Sequence, residues 1–102
     1  MTIHKNYIAG QWIEGSSVVN DINPSDTNDK VGVYASSGRA QAEDAIDAAY
    51  QAFPAWAAAS PEVRSDILDR IGTEILARKD ELGQLLSREE GKILSEGVGE
   101  VV

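Results

Sequence analysis

The chain contains no cysteine. That excludes disulfides, Cys-ligated zinc, iron–sulfur clusters and a thiol nucleophile among these residues. Histidine is almost as scarce, with His4 alone, beside Lys5 in a terminal segment that reads as frayed surface. Basic side chains are few: 9 Lys and Arg against 17 Asp and Glu, for a net charge of −8. Nucleic acid recruits clustered Lys and Arg, so it is not an expected partner. An anionic membrane surface is not expected either. Long apolar runs are missing, and none approaches the roughly 20 residues that span a bilayer. Residues 1–6 lead into a polar stretch without the apolar centre of a signal peptide. The expected location is the cytoplasm.

What remains is ordinary globular material: 102 residues, 42% hydrophobic and 25% charged. That length suits one small domain. Such a chain is expected to bury roughly 60–70% of its unfolded surface around one modest core. The acids are spread along it, with no acidic tail and no internal repeat. Their expected role is to keep the surface soluble.

Short extended pieces come first. Tyr7-Ile8-Ala9-Gly10-Gln11-Trp12-Ile13 reads as a hairpin. Ala9 fits a type I′ turn poorly, so the spacing favours a type I turn with Gly10 as the left-handed bulge residue. Val18-Val19 and Ile22 form a second run that stops at Asn23-Pro24, because proline restricts its predecessor and has no amide proton. Residues 25–29 are a polar turn, and Val31-Gly32-Val33-Tyr34-Ala35 is another strand. The first 37 residues therefore read as two β-hairpins or a small meander.

From about residue 42 the apolar period changes from two to 3.6. Ala42, Ala45, Ile46, Ala49, Phe53 and Trp56 share a face, with Glu43 and Asp44 in the first turn and Pro54 ending or kinking the helix. Ser60-Pro61-Glu62 supplies a capping hydroxyl, a proline at the first helical position and an acid behind it. Val63, Ile67, Leu68, Ile71, Ile75 and Leu76 then make a continuous stripe. Asp66 with Arg70 and Glu74 with Arg78 are spaced for i,i+4 pairs. Leu82, Leu85 and Leu86 mark a third helix, which Gly91 terminates. Leu94, Val98, Val101 and Val102 open a further apolar stripe on which the sequence stops. Natural domains usually end in polar residues, so the expectation is that a continuation is missing.

The inventory for chemistry is thin. No nucleophile elbow or phosphate loop is present. Gly97-Val98-Gly99 is a fragment of a dinucleotide fingerprint, but it sits in a helical pattern and not after a strand. Asp26-Thr27-Asn28-Asp29 begins like a calcium loop, but Lys30, Val31 and Ser37 break the pattern. Tyr7, Trp12, Phe53 and Trp56 read as core anchors. Glu89-Glu90 lies at a helix C-terminus, against the partial negative charge of its carbonyls. Arg88 and Lys92 are placed to compensate. Alternatively, one carboxylate with those carbonyls offers hard oxygens to a cation.

Several segments, in order, resemble the start of the aldehyde dehydrogenase family. These are Tyr7-Ile8-Ala9-Gly10-Gln11-Trp12, Ile22-Asn23-Pro24-Ser25, Ala42-Glu43-Asp44 with Phe53-Pro54-Ala55-Trp56, Arg64 with Ile67-Leu68 and Ile71, and Glu89-Glu90-Gly91-Lys92. The wording of residues 23–29 and 67–79 is most similar to the branch that oxidises α-ketoglutaric semialdehyde. The resemblance implies an α+β fragment, β-hairpins followed by three to four helices, belonging to the larger α/β fold of that family. Residues 1–102 would form the N-terminal part of its cofactor-binding domain, with a hairpin region to residue 37 and a helical region from 38. The parent would use NAD or NADP, act on a small-molecule aldehyde and form a homo-oligomer. This chain's partner would be the remainder of that polypeptide.

The same resemblance implies a structural Na⁺ or K⁺ held by Asp21, Ile22 and Glu89. It carries over no catalytic or cofactor-binding residue, so the chain alone is expected to be inactive. The alternative is a standalone acidic helical module that presents Leu94, Val98, Val101 and Val102 to a protein partner.

Overall fold

The computed structural model describes residues 1–102. Five short strands precede four helices: β1 (Ile3–His4), β2 (Asn6–Ile8), β3 (Gln11–Ile13), β4 (Ser17–Ile22), β5 (Lys30–Ser36), α1 (Arg39–Ala58), α2 (Pro61–Ala77), α3 (Lys79–Glu90) and α4 (Leu94–Val101). The change from strand to helix lies between Ser36 and Arg39. Packing divides the chain differently. One compact unit takes residues 1–21 and 32–59, the other residues 22–31 and 60–102.

In the first unit, β2 and β3 pair antiparallel, with Tyr7 opposite Trp12 and Ile8 opposite Gln11. That register leaves only Ala9 and Gly10 in the loop, and both have positive φ, 52° and 78°. The turn is therefore type I′-like, and the bulged type I turn expected from Ala9 is not formed. A two-residue loop must match the twist of its strands, and that demand overrides the cost of a left-handed alanine.

The two hairpins read from the sequence are present, and a further strand joins the second. The three-stranded sheet runs β1-β5-β4, and β1 lies parallel to β5 with Ile3 opposite Val33 and His4 opposite Tyr34. Residues 23–29 are too short for a parallel crossover, so β4 and β5 form the hairpin of that sheet. The terminal segment adds a third strand instead of fraying. A long-range parallel pairing leaves no alternation signal in two residues.

Helix α1 starts at Arg39, earlier than the apolar pattern indicates, so Glu43 and Asp44 lie beyond its first turn. Gly38 gives it no side-chain cap. Its start is instead tied down by polar side chains. Asn6 Nδ2 donates to Ser37 Oγ at 2.9 Å and to Gln41 Oε1 at 2.8 Å. Gln41 Nε2 donates to the Glu14 carbonyl at 3.0 Å. Pro54 does not end the helix, which continues to Ala58. The break comes at Ala59 and Ser60, both extended, with ψ of 147° and 152°, because Pro61 pushes the residue before it out of the helical region.

In the second unit, Ser60 Oγ accepts from the Val63 amide at 3.2 Å and caps α2 as its sequence indicates. The expected Asp66–Arg70 and Glu74–Arg78 ion pairs are not made. Arg78 turns forward to Glu81, 2.7 Å away on α3, because it is the junction between two helices and the next acid is closer. Helices α3 and α4 meet through glycine. A methyl on Gly83 would lie 2.7 Å from Val98 Cα, and one on Gly97 would lie 2.5 Å from the Gly83 carbonyl oxygen. Val98 is thus packed against α3, while Leu94 and Val102 stay exposed. Gly97 serves helix contact, and nothing here resembles a phosphate turn.

No apolar side chain is buried. The modest core expected from chain length is absent, and the four aromatic anchors are surface residues, with Trp12 67% and Phe53 63% exposed. Tyr7 and Trp12 do meet, at 4.8 Å between ring centroids, but only across their own hairpin. Periodicity correctly marks which face of each helix is apolar. It cannot supply the second layer such a face needs, and within neither unit does this chain provide one.

Candidate functional site

The best-built polar site lies in the second unit, where the turn after β4 meets the end of α3. Asn23 organises the turn. Its Oδ1 accepts from the Ser25 amide at 2.9 Å, while its Nδ2 donates to Asp29 Oδ2 at 3.1 Å. Asp26 Oδ1 accepts from the Asn28 amide at 3.1 Å. These are Asx turns, the reason Asn and Asp crowd such loops. The Asn23 amide donates to the Asp29 carbonyl at 3.0 Å and closes the turn on itself.

Asp29 is left facing Arg88, 59 residues on, and the two form a bidentate pair. Arg88 Nη2 lies 2.6 Å from Oδ1 and Nε 2.9 Å from Oδ2. Arg88 Nη2 also reaches the Lys30 carbonyl at 3.5 Å. The fork of the guanidinium matches a carboxylate in one plane, which makes this geometry specific as well as strong. Hydrogen bonds from Arg88, then from Asn23, hold the Asp29 carboxyl down to about 2, against the opposing effect of desolvation.

One turn further on, Gly91 ends α3 in the left-handed conformation, φ 75°. Ser25 Oγ donates to its carbonyl at 3.1 Å. A Cβ on Gly91 would lie 2.7 Å from Ser25 Oγ and 2.8 Å from Pro24 Cγ. Glycine is therefore required twice, for its backbone angle and for the approach of the Pro24-Ser25 turn. Ser87 Oγ donates to the Lys92 carbonyl at 2.5 Å. The Lys92 ammonium is held between Glu100 of α4 and Glu90, the latter at 2.7 Å. These two carboxylates, Glu100 foremost, push its pKa up.

The three residues expected at a cation site fall as follows. Ile22 ends β4 and opens the turn just described. Glu89 is next to Arg88, near the end of α3 and exposed, with its carboxylate in no hydrogen bond or ion pair. Asp21, half-buried, belongs to the other compact unit. No three His, Asp or Glu side chains are grouped as a metal cluster. Of these three residues, the second unit thus offers one unspent carboxylate, that of Glu89, and backbone carbonyls. They are hard oxygens that suit an alkali or alkaline-earth ion and not a transition metal.

Sequence reasoning missed the Asp29–Arg88 pair. Arg88 read as compensation for Glu89 and Glu90, and Asp29 as part of a polar turn. No periodicity links residues so far apart. The available signal was chemical: an acid closing an Asn-Pro turn must find a cation if it is half-buried.

His4 is not frayed. It stacks on Tyr34 at 4.8 Å with 22° between rings. With Ile3, Lys5 and Trp12 it lines a shallow pocket of about 270 Å³. Lys5 is 3.9 Å from Glu14. Nothing in this group forms a nucleophile and base pair.

Comparison with known proteins gives a consistent result. The sequence model of the Aldehyde dehydrogenase family matches residues 12–102. The chain is 39% identical to an alpha-ketoglutarate semialdehyde dehydrogenase of Haloferax volcanii, over 95% of this chain and 20% of that protein. It is 38% identical to a 1-pyrroline-5-carboxylate dehydrogenase 2 of Bacillus subtilis, over 83% of this chain and 16% of that one. Its fold superposes on an E. coli NADP-dependent enzyme with a TM-score of 0.90 and 32% identity, covering 96% of this chain and 21% of the other. On a Thermus 1-pyrroline-5-carboxylate dehydrogenase with bound NAD, the TM-score is 0.91 at 34% identity, covering 97% and 19%. The chain spans about a fifth of the length of the curated relatives it matches.

Proposed function

The chain belongs to the aldehyde dehydrogenase family, and from that premise we propose that it is the N-terminal portion of an NAD(P)-dependent enzyme that oxidises an aldehyde to a carboxylic acid. The observation that carries this reading is a superposition of nearly the whole chain on about a fifth of an NADP-dependent enzyme and of a 1-pyrroline-5-carboxylate dehydrogenase with bound NAD, at identities above 30%. The aldehyde we favour is α-ketoglutaric semialdehyde, supported by the 39% identity to a protein of that name.

Oxidising an aldehyde to an acid requires a nucleophile to add to the carbonyl carbon, then a hydride acceptor and water. This chain has no thiol. Its share of the work in our reading is structural. It forms part of the cofactor-binding domain, with a strand region to residue 37 and helices from 38, and the reacting groups come from the rest of the polypeptide. No helix is long and apolar enough to cross a membrane. The proposal keeps the cytoplasmic location expected from the sequence and, as the family resemblance implies, a homo-oligomer.

The proposal includes a structural Na⁺ or K⁺ held by oxygens of Asp21, Ile22 and Glu89. Support comes from the unpaired Glu89 carboxylate at the end of α3 and from the pinning of that helix end to the turn that starts at Ile22. Such an ion would relieve the repulsion between Glu89 and the helix carbonyls.

The direct test is the reading frame beyond Val102. It should encode a glycine turn after a strand and a cysteine-bearing segment. A frame that closes without either would contradict the proposal.

A further inference from the structure

Arg64, near the start of α2, is the one arginine that is half-buried and unpaired. Arg39, Arg78 and Arg88 each hold an acid, and Arg70 is exposed to water. Arg64 Nε is sealed from solvent and has no acceptor, alone among the buried side-chain nitrogens and oxygens of the chain. Its terminal nitrogens, Nη1 and Nη2, are not sealed, and they bond to nothing in the chain.

Helix geometry explains why no partner is at hand. Side chains meet at spacings of three and four, and those neighbours are Ser60, Pro61, Ile67 and Leu68. Glu62 and Asp66 are only two residues away, so they lie on other faces of the helix. The dipole at a helix start also favours anions over cations. A charge held partly out of water there, with one donor unsatisfied, lowers stability within this chain. What the arrangement provides is a guanidinium whose stem is clamped while its end stays open. Little freedom remains for it to lose on binding.

We propose that the open end of Arg64 is a binding site for a carboxylate, held through Nη1 and Nη2. Two parallel N–H donors on a planar cation match the two oxygens of a carboxylate in one plane. One guanidinium balances one negative charge. Glu62, Asp66 and Asp69 stand within five residues on the same helix, so a dianion such as phosphate meets added repulsion. The carboxylate belongs either to a side chain elsewhere in a longer polypeptide or to a small molecule, and both present the same group. The first source rests on the dehydrogenase reading; the second does not.

The test compares the melting of wild type, Arg64→Met and Arg64→Lys in the polypeptide encoded by the full reading frame. Met keeps an unbranched stem without the charge, and Lys keeps the charge without the fork. If the carboxylate is the protein's own, Arg64→Met should melt several degrees lower in sodium chloride, with Arg64→Lys between. If it is free, that gap should appear only when sodium acetate replaces chloride at equal ionic strength, and it should grow with acetate concentration. Inorganic phosphate should behave as chloride does. A carboxylate loses its charge on protonation, so either gap should close as pH falls through about 4. The Asp29–Arg88 pair is common to all three proteins and cancels from the comparison. Arg64→Met melting as high as wild type in both salts would overturn the proposal, because the charge would then be an orphan whose loss is harmless. So would a gap that appears in phosphate and not in acetate, or one that persists unchanged below the carboxylate range. If Arg64→Met does not fold, the gap between wild type and Arg64→Lys is read in the same way. If the frame closes at Val102, the dehydrogenase reading fails, and the acetate comparison on the 102-residue chain decides this inference by itself. If the long polypeptide oxidises its aldehyde yet shows no gap, only the carboxylate site fails.

Discussion

Asp29 is the residue on which the second unit turns. Its carboxyl is held at about 2 by Arg88 and Asn23, below an ordinary value of 3.8. A group whose folded pKa is depressed contributes stability that is complete above its unfolded value and is lost as pH falls through its folded one. Asp29 should therefore contribute fully above about pH 4 and fade toward pH 2. In urea unfolding across that window, the wild type should lose more stability than Asp29→Asn, and the two curves should converge at the acid end. Parallel curves would show that the pair with Arg88 contributes nothing. At Gly91, an alanine must adopt a left-handed backbone, costing about 1–2 kcal/mol, and it must also push back Pro24 and Ser25. Gly91→Ala should lower the unfolding midpoint by more than the backbone cost alone. Glu89 is predicted to behave differently in two contexts. The melting of the 102-residue chain should be indifferent to K⁺, with or without Glu89→Ala. The longer enzyme should be stabilised by K⁺ relative to a bulky organic cation, and Glu89→Ala should abolish that difference. Equal melting in both cations would remove the cation from the account.

At the scale of elements, local chemistry was the most legible. The Ser60-Pro61 start of α2, the left-handed Gly91 after α3 and the polar turn between β4 and β5 were all readable, because each is decided within a few residues. Ser60→Ala removes the one side-chain cap of α2 and should cost about 1 kcal/mol, seen as a lower midpoint in helical ellipticity. An unchanged midpoint would mean that Pro61 alone defines that end. Features decided by partners far along the chain were not readable. The β1–β5 pairing joins residues 3–4 to 33–34, and no pattern in two residues announces it. Arg78 chose Glu81 over Glu74 because a second helix begins at that point. The Gly83–Gly97 contact turned what looked like part of a nucleotide motif into a close approach of helices. Gly97→Val should therefore loosen α4, exposing Val98 to hydrogen exchange, without any effect attributable to nucleotide.

For the molecule as a whole, the mismatch between periodicity and burial is the informative result. The stripes on α1 and α2 were identified correctly as apolar, yet Ile46, Phe53, Leu68 and Ile71 are all exposed. Sequence pattern tells which face seeks cover, and only a second layer decides whether it is covered. The candidate site was legible to a similar extent. The Asn23-Pro24 turn and the Glu89-Glu90 helix end were singled out, while the Asp29–Arg88 pair that joins them needed the fold. Since this chain leaves its apolar faces open, the isolated polypeptide should bind a hydrophobic dye strongly, and the longer enzyme weakly per mole of this segment.

The most direct measurement is reduction of NAD⁺ or NADP⁺ in the presence of α-ketoglutaric semialdehyde. It should be followed in parallel for the 102-residue chain and for the polypeptide encoded by its full reading frame. The account predicts turnover by the long polypeptide and none by the short chain at any concentration, since in the proposed reading the group that adds to the aldehyde comes from the rest of the polypeptide and this chain has no cysteine. Turnover by the short chain, or a folded long polypeptide that oxidises no aldehyde, would contradict it.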